Sequence, residues 1–148
     1  MKKLWEEFQY FFQQKIYVII LCLTAICGYG FEMTHTSIGI DDTAVSLYLE
    51  DGLEVVMGRW FIYLINKIFH LSDFSPFMME LIGVILLCIS ATLFCVLFRR
   101  IFGRKVGLTG YIIFSCIFIS NPIISEVYVY YYHDGVDIGY VFSALALI

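Results

Sequence analysis

The hydrophobic positions of this chain gather into four runs with polar stretches between them. The first starts at Ile16, after Lys2, Lys3 and Lys15, and taken over about 14–34 it reaches the roughly 20 residues that a bilayer crossing needs. The second, 77–98, is interrupted only by Glu80 near one end and stops at Arg99-Arg100. The third, 108–131, carries Asn121-Pro122 and Glu126 in its second half, and the fourth, 139–148, is half a helix. These lengths predict three full spans and a partial fourth, joined by longer polar segments at about 35–76 and 132–138.

Within the first of those segments a different pattern appears. Val45, Leu49, Leu53, Val56, Trp60, Leu64 and Ile68 recur every three or four residues, which is a helical stripe, whereas Arg59, Asn66, Lys67 and His70 interrupt a full crossing. The segment Leu53 to Phe69 therefore reads as an amphipathic helix lying on the outer membrane surface. Trp60 and Leu64 are expected to face lipid or the bundle, with Arg59 and Lys67 facing water or phosphate. A short additional span is the competing reading. It would carry Arg99 to Lys105 to the side opposite the N-terminal lysines.

Composition agrees with a membrane protein. The chain is 61% hydrophobic, 18% aromatic and 15% charged, where soluble domains carry about 25% charged residues. The predicted fold class is all-α, a polytopic membrane helix bundle. The net charge of −4 gives no footprint for nucleic acid. Cys22, Cys27, Cys88, Cys95 and Cys116 all lie in apolar segments without metal-ligand spacing, and read as small packing residues. The first apolar run is not followed by a small-residue cleavage site, so it reads as a span and not as a cleaved signal.

Basic residues stay on the cytoplasmic side of short loops. With three crossings, Lys2, Lys3, Lys15, Arg99, Arg100, Arg104 and Lys105 share one side, and only Arg59 and Lys67 of the nine Lys and Arg fall opposite. The same threading sends Asp41, Asp42, Glu50, Asp51, Glu54 and Asp73 into one outer loop and Asp134 and Asp137 into a second. Two separate sets of carboxylates converge on one face.

The order of these features resembles the start of the bacterial GtrII-like glucosyltransferases, membrane enzymes of the GT-C architecture. The resemblance is carried by a Lys-bearing N-terminus, one span, Ile40-Asp41-Asp42, and Gly58-Arg59-Trp60 opening a helix. A second stretch adds to it: Asn121-Pro122, Glu126 and the aromatic run Tyr128 to Tyr132 leading into His133-Asp134. Such enzymes have more spans, so the chain is expected to be an N-terminal portion. A non-catalytic accessory membrane protein is the alternative, with coding sequence beyond Ile148 as the discriminator.

The resemblance implies transfer of a sugar, glucosyl by the family name, from a polyprenyl phosphate to a hydroxyl of a lipid-linked or surface glycan. The expected setting is the outer face of a bacterial cytoplasmic membrane. An attacking hydroxyl must lose a proton, and Asp41 or Asp42 is the expected general base. Two adjacent carboxylates repel each other, which makes one of them the stronger base; the plainer role for either is a helix N-cap. Arg59 offers a bidentate partner to the leaving phosphate, with Lys67 and His70 as weaker candidates and lipid-headgroup contact as the alternative for Arg59 and Lys67.

Glu126, Tyr131, Asp134 and Asp137 are the expected substrate contacts, with Asp134 favoured over Asp137 as the family's aspartate. Glu126 and the tyrosines near it also suit a membrane interface, as do His35 and His133. The donor is a lipid-linked sugar, the partners are the bilayer and a glycan acceptor, and no Asp-x-Asp marks a divalent-ion site.

Overall fold

The computed structural model describes residues 2–35, 60, 63, 64, 67, 76–127 and 134–148. Among these the chain is all-helical. The helices are α1 (Lys2–Gln13), α2 (Lys15–Thr34), α3 (Pro76–Phe102), α4 (Leu108–Ile119), α5 (Pro122–Val127) and α6 (Asp134–Leu147), with a 3-10 turn at Gly103–Lys105.

Helices α2 and α4 each turn one narrow stripe inward. On α2 the buried residues are Tyr17, Leu21, Ala25 and Tyr29, and on α4 they are Tyr111, Ser115 and Ile119, both at four-residue spacing. Between them runs α3, which buries Val84, Leu87, Ala91, Cys95 and Val96. The Tyr17 hydroxyl joins the three, at 3.1 Å from Thr92 Oγ1 and 3.0 Å from Ser115 Oγ, while Cys95 Sγ lies 3.2 Å from the same Ser115 oxygen. Small hydroxyl and thiol groups at such a crossing let helices approach and give hydrogen bonds where no water competes.

Contacts fix the helix directions. Tyr17, near the start of α2, meets Thr92 in the second half of α3, whereas Tyr29, near the end of α2, reaches Ile119 at the end of α4. So α2 and α4 run the same way and α3 runs against both. Helix α6 packs along α3, and Arg100 Nη1 donates to the Ile148 carbonyl at 3.1 Å, which places their C-terminal ends side by side. One end of the bundle thus carries Lys15, Arg99, Arg100 and Lys105. The other carries Glu80, Asn121 and the first turn of α6.

Two helices, Lys15–Thr34 and the Glu80–Phe102 part of α3, are long and apolar enough to cross a membrane; Leu108–Ile124 and Val136–Leu147 are shorter apolar helices. The outward face of α2 is apolar as well. Ile16, Ile19, Leu23, Ile26 and Phe31 are all more than half exposed, and Cys22 and Cys27 are exposed among them. A surface of this kind requires cover by lipid or protein. Two of the five cysteines, read from sequence as small packing residues of apolar segments, thus lie on this exposed apolar face.

Three features depart from the sequence reading. First, the run at 108–131 is not one helix in its described part. It breaks after Ile119, because Pro122 has no N–H and its ring disfavours the preceding turn; Ser120 N instead closes α4 on the Cys116 carbonyl at 2.9 Å. Second, α6 begins at Asp134, so Asp134 and Asp137 occupy its first turns and not a loop extending to 138. Third, a helix precedes Gln14, whose extended backbone (φ −82°, ψ 92°) separates α1 from α2. Of the expected outer-surface helix, Trp60, Tyr63, Leu64 and Lys67 are described and helical, and Lys67 Nζ lies 5.6 Å from the Tyr63 ring centre.

Candidate functional site

The end of the bundle opposite the arginines is built around the break between α4 and α5. A helix that stops leaves its last carbonyls without N–H partners. Here the amide that would have served the Ile119 carbonyl, Ile123 N, is taken by Asn121 Oδ1 at 3.0 Å. The vacated carbonyl is satisfied from α2, by the Tyr29 hydroxyl at 2.6 Å. The Asn-Pro pair therefore does more than interrupt a span: it creates an acceptor that Tyr29, only 1% exposed, is placed to meet. The Ile124 amide then donates to the Asn121 carbonyl at 2.9 Å, which starts α5.

A buried carboxylate lies beside this junction. Asp137, on the first turns of α6, is 1% exposed and close enough to Tyr29 to interact with it electrostatically. Tyr140, one turn further along α6, lies edge-on to Phe118 of α4 with ring centres 5.6 Å apart. Glu80, on the first turns of α3, is 8% exposed. Ionisable groups held so deeply in an apolar bundle are costly to bury, and in membrane proteins such groups mark function or a specific polar partner. Beside them α2 ends at His35, whose ring stacks on Phe31 at 4.4 Å and whose Nδ1 is 2.9 Å from Thr34 Oγ1.

The expected site residues divide accordingly. Asp137 is at this end and fully buried, which suits a structural or positioning carboxylate better than one in an open loop. Asp134 opens the same helix and Glu126 lies on α5, so the backbone brings three of the expected substrate-contact positions to one end. Lys67 is helical and exposed. Asp41, Asp42, Arg59, His70 and Tyr131 lie outside the described residues, as do His133 and Tyr128, Tyr130 and Tyr132. Among the described residues no group of three or more His, Cys, Asp or Glu could hold a metal ion.

Tyr29 and Glu80 were not singled out as site residues from sequence. A tyrosine within an apolar run reads as bulk, and the signal that could have found it was the pairing of a helix-breaking Asn-Pro with a hydroxyl on a neighbouring helix.

A helical protein with two membrane-length apolar helices, and with acids gathered at one end of the bundle, defines a class: a membrane-associated protein with a polar site at a helix break. Within that class the family is shown by comparison. The family model for Glucosyl transferase GtrII matches residues 30–148, and the chain belongs to that family, which places it by class among the glycosyltransferases. Comparison with curated proteins and with solved structures returns no match.

Proposed function

We propose that this chain is part of a multi-pass glycosyltransferase of GT-C type. It moves a sugar, glucosyl by the family's name, from a polyprenyl phosphate to a hydroxyl of a lipid-linked or surface glycan, as in O-antigen modification of a bacterial cell envelope. The observation that carries the reading is the family match over 30–148, which includes both the Asp41-Asp42 pair and the acidic end around Asp137. The basic end faces the cytoplasm and the acidic end faces outward across the cytoplasmic membrane, in keeping with the distribution of Lys and Arg.

In this reading Asp41 or Asp42 removes the proton of the acceptor hydroxyl as it attacks the anomeric carbon. Arg59, with Lys67 and His70 as weaker candidates, meets the charge that grows on the leaving phosphate. Glu126, Tyr131 and Asp134 contact the sugars, and Asp137 holds α6 and Tyr29 in place beneath them. The test is transfer from a radiolabelled polyprenyl-phosphate sugar to endogenous glycan, in membranes from cells with and without the complete gene. Gene-dependent transfer supports the proposal, and equal labelling in both membranes overturns it. Repeating the assay with a chelator decides whether a divalent ion takes part.

A further inference from the structure

The amphipathic helix α1 lies outside the residues matched to the family, and nothing in sugar transfer uses it. Its inner face is well anchored. Phe11 is fully buried, edge-on to Tyr111 at 5.2 Å and 5.2 Å from the Tyr17 ring. Arg99 stacks over Tyr10 with its guanidinium carbon 3.6 Å from the ring centre. Arg100 Nε donates to Glu7 Oε2 at 2.6 Å. A helix held to the ends of α3 and α4 by packing, a cation–π contact and an ion pair is a fixed part of the bundle.

Its outer face is unlike that of a solvated helix. Trp5, Phe8 and Phe12 form an aromatic ladder, with ring centres 6.1 Å apart for Trp5 and Phe8 and 4.8 Å apart for Phe8 and Phe12, in which Phe8 is partly buried against the core and Trp5 and Phe12 are exposed. Trp5 is 60% and Phe12 45% exposed. After Gln13 and Gln14 the chain enters α2 at Lys15, and the exposed apolar positions of that helix open with Ile16 and Ile19. Lys2, Lys3, Lys15 and Lys105 occupy the same end of the bundle. Exposed aromatic residues that directly precede a membrane-length apolar helix, flanked by lysines, match the headgroup boundary of a bilayer containing anionic lipid.

We propose that α1 is an interfacial membrane helix, its Trp5–Phe8–Phe12 ladder seated in the headgroup and upper acyl region of the leaflet at the basic end and its lysines drawing anionic lipid. Glu7, the one acid facing the inner contacts, is neutralised by Arg100, while Glu6 on the exposed side faces water. The occupant to which the proposal commits is lipid and not a second protein, because lysines flank the aromatic face and a helix long and apolar enough to cross a membrane follows it directly.

The test uses the whole chain in vesicles of phosphatidylcholine with phosphatidylglycerol. The chain has two tryptophans, so Trp60→Phe leaves Trp5 as the sole reporter. Lipids brominated near the headgroup should quench Trp5 at least about twofold more than lipids brominated near the acyl terminus, and aqueous iodide should quench it weakly. Removing phosphatidylglycerol should blue-shift the emission less and raise iodide access. Strong iodide quenching with no effect of brominated lipid overturns the proposal in favour of a solvated helix. Shielding from both quenchers overturns it in favour of a protein partner. If Trp60→Phe fails to insert, the difference between wild-type and Trp5→Phe emission isolates the same signal. None of these outcomes bears on sugar transfer.

Discussion

Two buried tyrosines on one helix make contacts of different worth. Tyr17 shares its hydroxyl with Thr92 and Ser115, but each partner has a second contact: Thr92 donates to the Cys88 carbonyl at 2.9 Å and Ser115 meets Cys95. Tyr17→Phe should therefore cost only about 0.6 kcal/mol, the average for hydrogen bonds between membrane helices. Tyr29 serves a carbonyl whose helical partner is engaged elsewhere, so Tyr29→Phe leaves a buried acceptor unmet and should cost about 1–3 kcal/mol. Unfolding in mixed micelles by sodium dodecyl sulfate ranks the two, and equal losses would show that the helix break has another means of satisfying Ile119. At the proposed catalytic pair the change is in rate. Asp41→Asn or Asp42→Asn in the complete protein should lower transfer by roughly 10² to 10⁴-fold, as loss of a general base does, with insertion unchanged because Asn still caps a helix. Wild-type rates from both variants would leave the pair as a cap and move the site toward Glu126 and Asp134.

Among the helices, the tightest local constraint is the turn from α3 to α4. Gly103 has φ +63°, the left-handed region in which a side chain is strained, while Gly107 has an extended backbone and open space where a Cβ would go. Gly103→Ala should destabilise by about 1–2 kcal/mol. Gly107→Ala should be close to neutral or slightly stabilising, and the same detergent titration separates them. Much at this scale was legible beforehand. Lys15–Thr34 and Glu80–Phe102 are apolar over a membrane-length window, and a run of that kind, where it lies in lipid, satisfies its backbone as a helix. The α4–α5 break was visible as Asn121-Pro122, but proline is tolerated inside membrane helices when neighbours satisfy the freed carbonyl, so the sequence did not decide between a kink and a stop. Helix α1 went unread because its aromatic positions blend into the apolar run that follows, and only the backbone at Gln14 separates them. Asp137 was assigned to a loop for a related reason: five residues of helix before an apolar run carry no periodicity to reveal them.

At the scale of the whole molecule, the strongest statement is the asymmetry between the two ends. Short turns and helix directions place Lys15, Arg99, Arg100 and Lys105 together, while Glu80, Glu126, Asp134 and Asp137 lie at the opposite end. That separation rests on packing and not on any assumption about a membrane, yet it coincides with the sorting that loop charge predicts. The two ends should therefore lie on opposite sides of the bilayer, with the basic end cytoplasmic. Cysteine at Gly135 is expected to react with an impermeant maleimide in intact cells, and cysteine at Lys105 only after the membrane is opened. The native cysteines all lie in apolar segments, and the unmodified chain sets the baseline for them. Labelling of both positions in intact cells would mean that the bundle does not cross the membrane. Labelling at Lys105 alone would invert it, placing the aspartates on the cytoplasmic side, away from any acceptor glycan at the cell surface.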